Sequence, residues 1–120
     1  MTIAAEIAVG LVAALHLYFL TLEMFLWKTP FGRRTFGLSV EQANATAILA
    51  ANQGLYNGFL AAGLLWALGA EGVIGGRNVL TFFLICVIAA GLLGGFTASK
   101  RILAVQALPG VVALALVWAI

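Results

Sequence analysis

The amino-acid sequence predicts an all-α integral membrane protein, a four-helix transmembrane bundle forming a single domain over residues 1–120, and three observations predict it. Hydrophobic residues make up 64% of the chain and charged residues only 8%, with a mean hydropathy of +1.15. A soluble domain is nearly half apolar and about a quarter charged. A fold this small has a high ratio of surface to volume, and so few charges cannot cover its outside. The apolar residues collect into four stretches, each near the length of about 20 helical residues needed to cross a hydrocarbon core of about 30 Å. The basic residues fall into the connections between these stretches, as topology signals do.

The first helix is expected at residues 3–27. It resembles a secretory leader only superficially, because it lacks a basic start, exceeds the usual apolar core of about 7–15 residues, and carries Glu6, His16 and Glu23. The connection that follows, Lys28 to Val40, contains Pro30, Gly32 and Gly37. Ser39 followed three residues on by Gln42 forms a capping box, which opens the second helix, expected at residues 41–69. Gly72, Gly75 and Gly76 then break the chain. Asn78 is placed to cap the third helix, expected at residues 79–98, and a tight turn at Ser99, Lys100 and Arg101 leads into the fourth, at residues 102–120. Pro109 inside that helix removes a backbone hydrogen bond and predicts a bend, eased by Gly110.

Lys28, Arg33, Arg34, Lys100 and Arg101 fall on one side of this map and Arg77 on the other. The rule that basic loops stay inside then places the loops 28–40 and 99–101 in the cytoplasm and both termini outside the inner (cell) membrane. A net charge of +2 concentrated in short loops offers no nucleic-acid surface. The single cysteine, Cys86, lies in an apolar run and permits no internal disulfide. No metal-ligand spacing, phosphate loop or nucleophile elbow is present. Small residues at four-residue spacing, Gly54, Gly58 and Ala62 and again Gly91, Gly95 and Ser99, form seams where helix backbones can approach closely in lipid.

Ionisable groups inside a membrane helix are expensive unless they face a cavity or a partner. His16 and Glu23 are seven residues apart, on one helix face and about 10 Å apart along the axis, so each needs a partner elsewhere. His16, Glu23 and Tyr56 are the candidate proton-transfer or orienting groups. The second helix is the most polar. Glu41, Asn44, Asn52 and Tyr56 make one stripe, and Gln42, Thr46, Gln53 and Asn57 make its neighbour. One stripe can meet the first helix and the other a neighbouring subunit, which predicts a homo-oligomer. The same residues can equally act as amide glue between helices. Arg33 and Arg34 beside this stripe, and Gln106 three residues before Pro109, are further ligand candidates; the arginines also serve as orientation signals. Trp27, Trp66 and Trp118 near helix ends read as an aromatic belt.

The runs LEMFLWKTPFGRRTFGL, ATAILAANQGLYNGFLAAGLLW and ASKRILAVQALP resemble a family of small bacterial membrane proteins catalogued as domain of unknown function 1304, over nearly the whole chain. More distantly, the layout is similar to the membrane-associated proteins in eicosanoid and glutathione metabolism, four-helix proteins that form trimers. Arg33, Arg34, Thr35 and Phe36 resemble the end of their basic loop, and Gln106 to Pro109 resembles their entry to the fourth helix. This resemblance implies a trimer with a site between subunits that holds glutathione. The chain departs from the pattern at Ala50, Gln53, Gly54 and Asn57, where the superfamily carries Arg, Asn and Glu, so most of the charges that bind glutathione are missing. The leading expectation is a polar intramembrane pocket that binds or modifies a small hydrophobic or lipid-like molecule, in contact with membrane lipids. The alternatives are a small proton- or cation-coupled transporter or channel using Glu23 and a purely structural membrane subunit.

Overall fold

The structure is a computed structural model that describes residues 2–120. Its elements are α1 (Thr2–Met24), α2 (Pro30–Phe36), α3 (Val40–Gly75), α4 (Arg77–Thr97), a π-helical segment (Leu103–Ala107) and α5 (Leu108–Trp118). No strand occurs among the described residues. Helices α1, α3 and α4 are each long and apolar enough to cross a membrane, with mean hydropathies of 2.0, 1.5 and 2.5 over their most apolar windows. Only 28% of each of those windows is buried within the protein. Large apolar side chains therefore point outward, among them Ile7, Ile48, Phe82, Leu93 and Phe96, a pattern water would penalise and hydrocarbon would not.

The chain packs as two compact units, residues up to Ala14 with Leu60–Ile120, and Leu15–Phe59. In the first, each helix buries one narrow stripe at spacings of three and four: Val9, Val12 and Ala13 from α1, Ala61 and Leu64 from α3, Leu80, Leu84 and Val87 from α4, and Ala113 and Val117 from α5. Small residues set the closeness of approach. A methyl group at Gly91 of α4 would lie 2.6 Å from the backbone nitrogen of Ala107, so only glycine lets α4 rest against the π-helical backbone. The π turn answers the sequence around Pro109, which has no amide hydrogen to donate and whose ring crowds the turn before it. The Leu108 amide reaches back five residues to the Leu103 carbonyl. At the other end of α4, the Arg77 guanidinium lies 4.7 Å from the Trp118 ring centroid, and the Trp118 indole donates to Thr81 Oγ1 at 2.8 Å.

In the second unit, Ser39 and Gln42 close the capping box reciprocally, at 2.9 and 3.1 Å. The buried positions of α3 here, Ala43, Ala50 and Gly54, are small residues at spacings of four and seven. The structure differs from the sequence-based map in several places. The connection after α1 contains a helix of its own, α2, capped by Thr29, whose hydroxyl accepts from the Gly32 amide at 3.2 Å and donates to the Leu26 carbonyl at 2.6 Å. Pro30 suits the first turn of that helix, and the Thr21 carbonyl, accepting from both Phe25 and Leu26, closes α1 at Met24, short of Trp27. Helix α3 runs past Gly69 to Gly75, interrupted at Gly72 by φ 73° and ψ −177°, a region open essentially to glycine alone. Gly76, rather than Asn78, occupies the N-cap of α4, with no side-chain cap. The last helical stretch spans 103–118 and changes from π to α geometry within it.

Candidate functional site

Glu23 sits at the end of α1 and is half-buried. Asn57 of α3 donates from Nδ2 to Glu23 Oε1 at 2.5 Å. The pair exists because residue 54, one turn before Asn57, is glycine. A Cβ there would come within 2.6 Å of Met24 Cγ and 3.2 Å of both Glu23 Cβ and the Leu20 carbonyl oxygen. Glu23 Oε1 is thus held by an amide fixed on a closely packed helix.

Beside this pair opens a cleft of about 310 Å³, lined by Glu23, Met24, Phe25, Trp27, Lys28, Thr29 and Ala47. One wall is rigid. The Trp27 indole donates to Thr46 Oγ1 at 3.0 Å, Thr46 donates in turn to the Gln42 carbonyl at 2.7 Å, and the Trp27 ring packs on Phe36 with centroids 4.8 Å apart. Ala47, small and half-buried on α3, leaves room in the cleft. Phe25 is 70% exposed and Lys28 is exposed at the mouth. A carboxylate, an ammonium and two aromatic rings therefore line one open cavity, chemistry suited to holding an amphiphilic or charged small molecule.

The sequence-predicted residues divide clearly. Glu23 and Asn57 come together at the cleft. His16 is fully buried within α1, its ring edge-on to Phe19 at 5.3 Å, and it does not line the cleft. Tyr56 is 53% exposed and packs on Phe59. Glu41, Asn44, Asn52 and Gln53 are exposed along α3. Arg33 and Arg34 occupy the last turn of α2, where positive charge suits the helix dipole, and Arg33 Nε donates to the Lys28 carbonyl at 3.4 Å. Gln106 is half-buried in the π-helical segment of the other unit. Among the described residues, no group of three or more His, Cys, Asp or Glu side chains could hold a metal ion. Of the residues that line the cleft, the sequence reading singled out Glu23 and missed Met24, Phe25, Thr29 and Ala47, while it took Trp27 for an aromatic belt and Lys28 for a topology signal. The signal available for them was Thr-Pro at residues 29 and 30, a helix-start pattern that turns the chain back beside the end of α1.

Residues 10–118 match the family described as "Protein of unknown function (DUF1304)". The chain is 31% identical over 119 residues to "Uncharacterized protein YpaA" of Lactococcus lactis subsp. lactis (strain IL1403), a similarity covering 98% of this chain and 97% of that protein. No solved structure matches.

Proposed function

The chain belongs to the DUF1304 family, and for this member we propose an integral membrane protein of four spans that binds a small lipid-like molecule in the cleft at the end of α1. The observation that carries the reading is the partly buried Glu23, fixed by Asn57, opening onto a cavity of about 310 Å³ walled by Trp27 and Phe25. That size is at the lower end of small-molecule sites, about 300–1,000 Å³, and a carboxyl group half-buried in the last turn of an apolar helix is a candidate functional position.

The membrane placement rests on α1, α3 and α4, with Leu103–Trp118 as the fourth, shorter apolar segment. Asn52, Gln53 and Tyr56 are exposed along α3, a helix apolar enough to cross a membrane. Lipid cannot satisfy those amides, which supports a homo-oligomer whose copies meet along α3. The basic residues Lys28, Arg33 and Arg34 beside the cleft support a cytoplasmic position for it.

Native mass spectrometry of protein released gently from its own membrane tests the reading. A retained small molecule that is lost from Ala47→Phe, in which the cleft is filled, is the expected result; identical retention by both proteins refutes it. A proton- or cation-coupled transporter is the second reading, favoured by the same intramembrane carboxylate. It requires ion-coupled flux in proteoliposomes that Glu23→Gln abolishes. A purely structural subunit would show neither ligand nor flux.

A further inference from the structure

We infer that the cleft recognises a zwitterionic headgroup, a primary amine joined to a phosphate by a short linker, as in phosphatidylethanolamine or its free headgroup. The inference rests on the ligand reading above and adds the chemistry of the ligand. Glu23 and Lys28 line the same cavity, five residues apart, one carboxylate and one ammonium. Asn57 takes one carboxylate oxygen, Oε1, and the second accepts from an ammonium group. α1 ends at Met24 just beside the cleft, and the partial negative charge of a helix C-terminus favours a cation there. The Trp27 indole N–H is already spent on Thr46, so the ring offers its faces rather than a donor, and Phe36 occupies one of them. A π-face with Phe25 alongside is a wall for a cation. Lys28, exposed at the mouth, supplies the complementary charge for a phosphate. A purely anionic headgroup would meet Glu23 as a like charge, and a purely cationic one would meet Lys28.

The test is titration of delipidated, detergent-solubilised protein with short-chain phosphatidylethanolamine, phosphatidylcholine and phosphatidylglycerol, read by native mass spectrometry. Phosphatidylethanolamine is expected to bind about tenfold more tightly than phosphatidylglycerol, since a charge-assisted hydrogen bond in a partly desolvated site is worth about one decade in affinity. It should also exceed phosphatidylcholine, whose quaternary amine cannot donate to Glu23. Glu23→Gln keeps an acceptor for Asn57 but loses the charge, and it should remove the preference over phosphatidylglycerol; Lys28→Ala should weaken all three lipids. Equal binding of ethanolamine and glycerol lipids, or an unchanged preference in Glu23→Gln, overturns the inference. If Ala47→Phe abolishes lipid binding while Glu23→Gln leaves headgroup preference intact, the cleft stands and only the zwitterion fails; if Ala47→Phe changes nothing, the cleft itself fails. Competition by free O-phosphoethanolamine assigns a soluble source for the headgroup, and its absence assigns the lipid.

Discussion

Replacing Gly91 with alanine tests the helix packing most sharply when it is measured beside the same change at Gly10. Both glycines lie inside helices, α4 and α1, so each substitution gains the same intrinsic helix preference of about 1 kcal/mol. Their surroundings differ. A Cβ at Gly10 meets nothing within 4 Å, whereas at Gly91 it lies 2.6 Å from the Ala107 nitrogen, 2.9 Å from its Cα and 2.9 Å from its Cβ. Two of those three atoms are backbone and cannot rotate away, so α4 and the π-helical segment must separate by several tenths of an ångström. Overpacking of this kind costs about 1–3 kcal/mol. The difference between the two variants, in which the helix term cancels, is therefore about 1–3 kcal/mol, with Gly91→Ala the less stable. Unfolding by denaturing detergent in mixed micelles, followed by circular dichroism, measures it. Equal stabilities for the two variants would refute the close approach of α4 to Ala107.

The remaining predictions concern the second unit and the break in α3. A double-mutant cycle on Glu23→Leu and Asn57→Ala should give a coupling of about 1.5–3 kcal/mol, as for a hydrogen bond to a charged group; a coupling near zero removes the pair from the site. Gly72→Ala should destabilise by about 1–3 kcal/mol because φ 73° with ψ −177° excludes a Cβ. Gly37→Ala, at φ 66° and ψ 40°, should lose less, about 1 kcal/mol, and the reverse ranking would contradict the two backbone assignments. Ser39→Ala removes the reciprocal cap of α3 and should lower stability by about 1 kcal/mol, read as a lowered unfolding midpoint.

The long apolar helices and their order were legible because hydrophobic runs near 20 residues have few readings other than a span. The Ser39–Gln42 box was legible because both partners lie within one turn, so a local rule suffices. Helix α2 was not, since Pro30, Gly32 and Gly37 weigh as loop residues until Thr29 is seen to cap them, and only glycine fits at residue 32 because a Cβ there would collide with the Leu26 carbonyl oxygen. Asn78 has the right chemistry for a cap, but the cap position falls on Gly76, two residues earlier, and α4 begins at Arg77. The cost of an ionisable group in an apolar helix singles out Glu23, and a polar stripe of α3 contains Asn57, each without reference to the other. Their pairing spans 34 positions of sequence and depends on how closely Gly54 lets the helices approach, which no local pattern encodes. The cleft likewise depends on the fold of α2 returning Lys28 and Thr29 beside Glu23, a tertiary fact that residue types alone do not carry.

Membrane crossing is the claim on which the cleft, the oligomer and the ligand class all depend, and side-specific labelling of single cysteines tests it most directly. In a Cys86→Ser background, Thr35→Cys on α2 and Glu71→Cys near the end of α3 alter exposed positions that precede and follow the long apolar run of α3. Glu71→Cys is expected to react with an impermeant maleimide in intact cells and Thr35→Cys only in inverted vesicles. Labelling of both from the same side would contradict the membrane-spanning account.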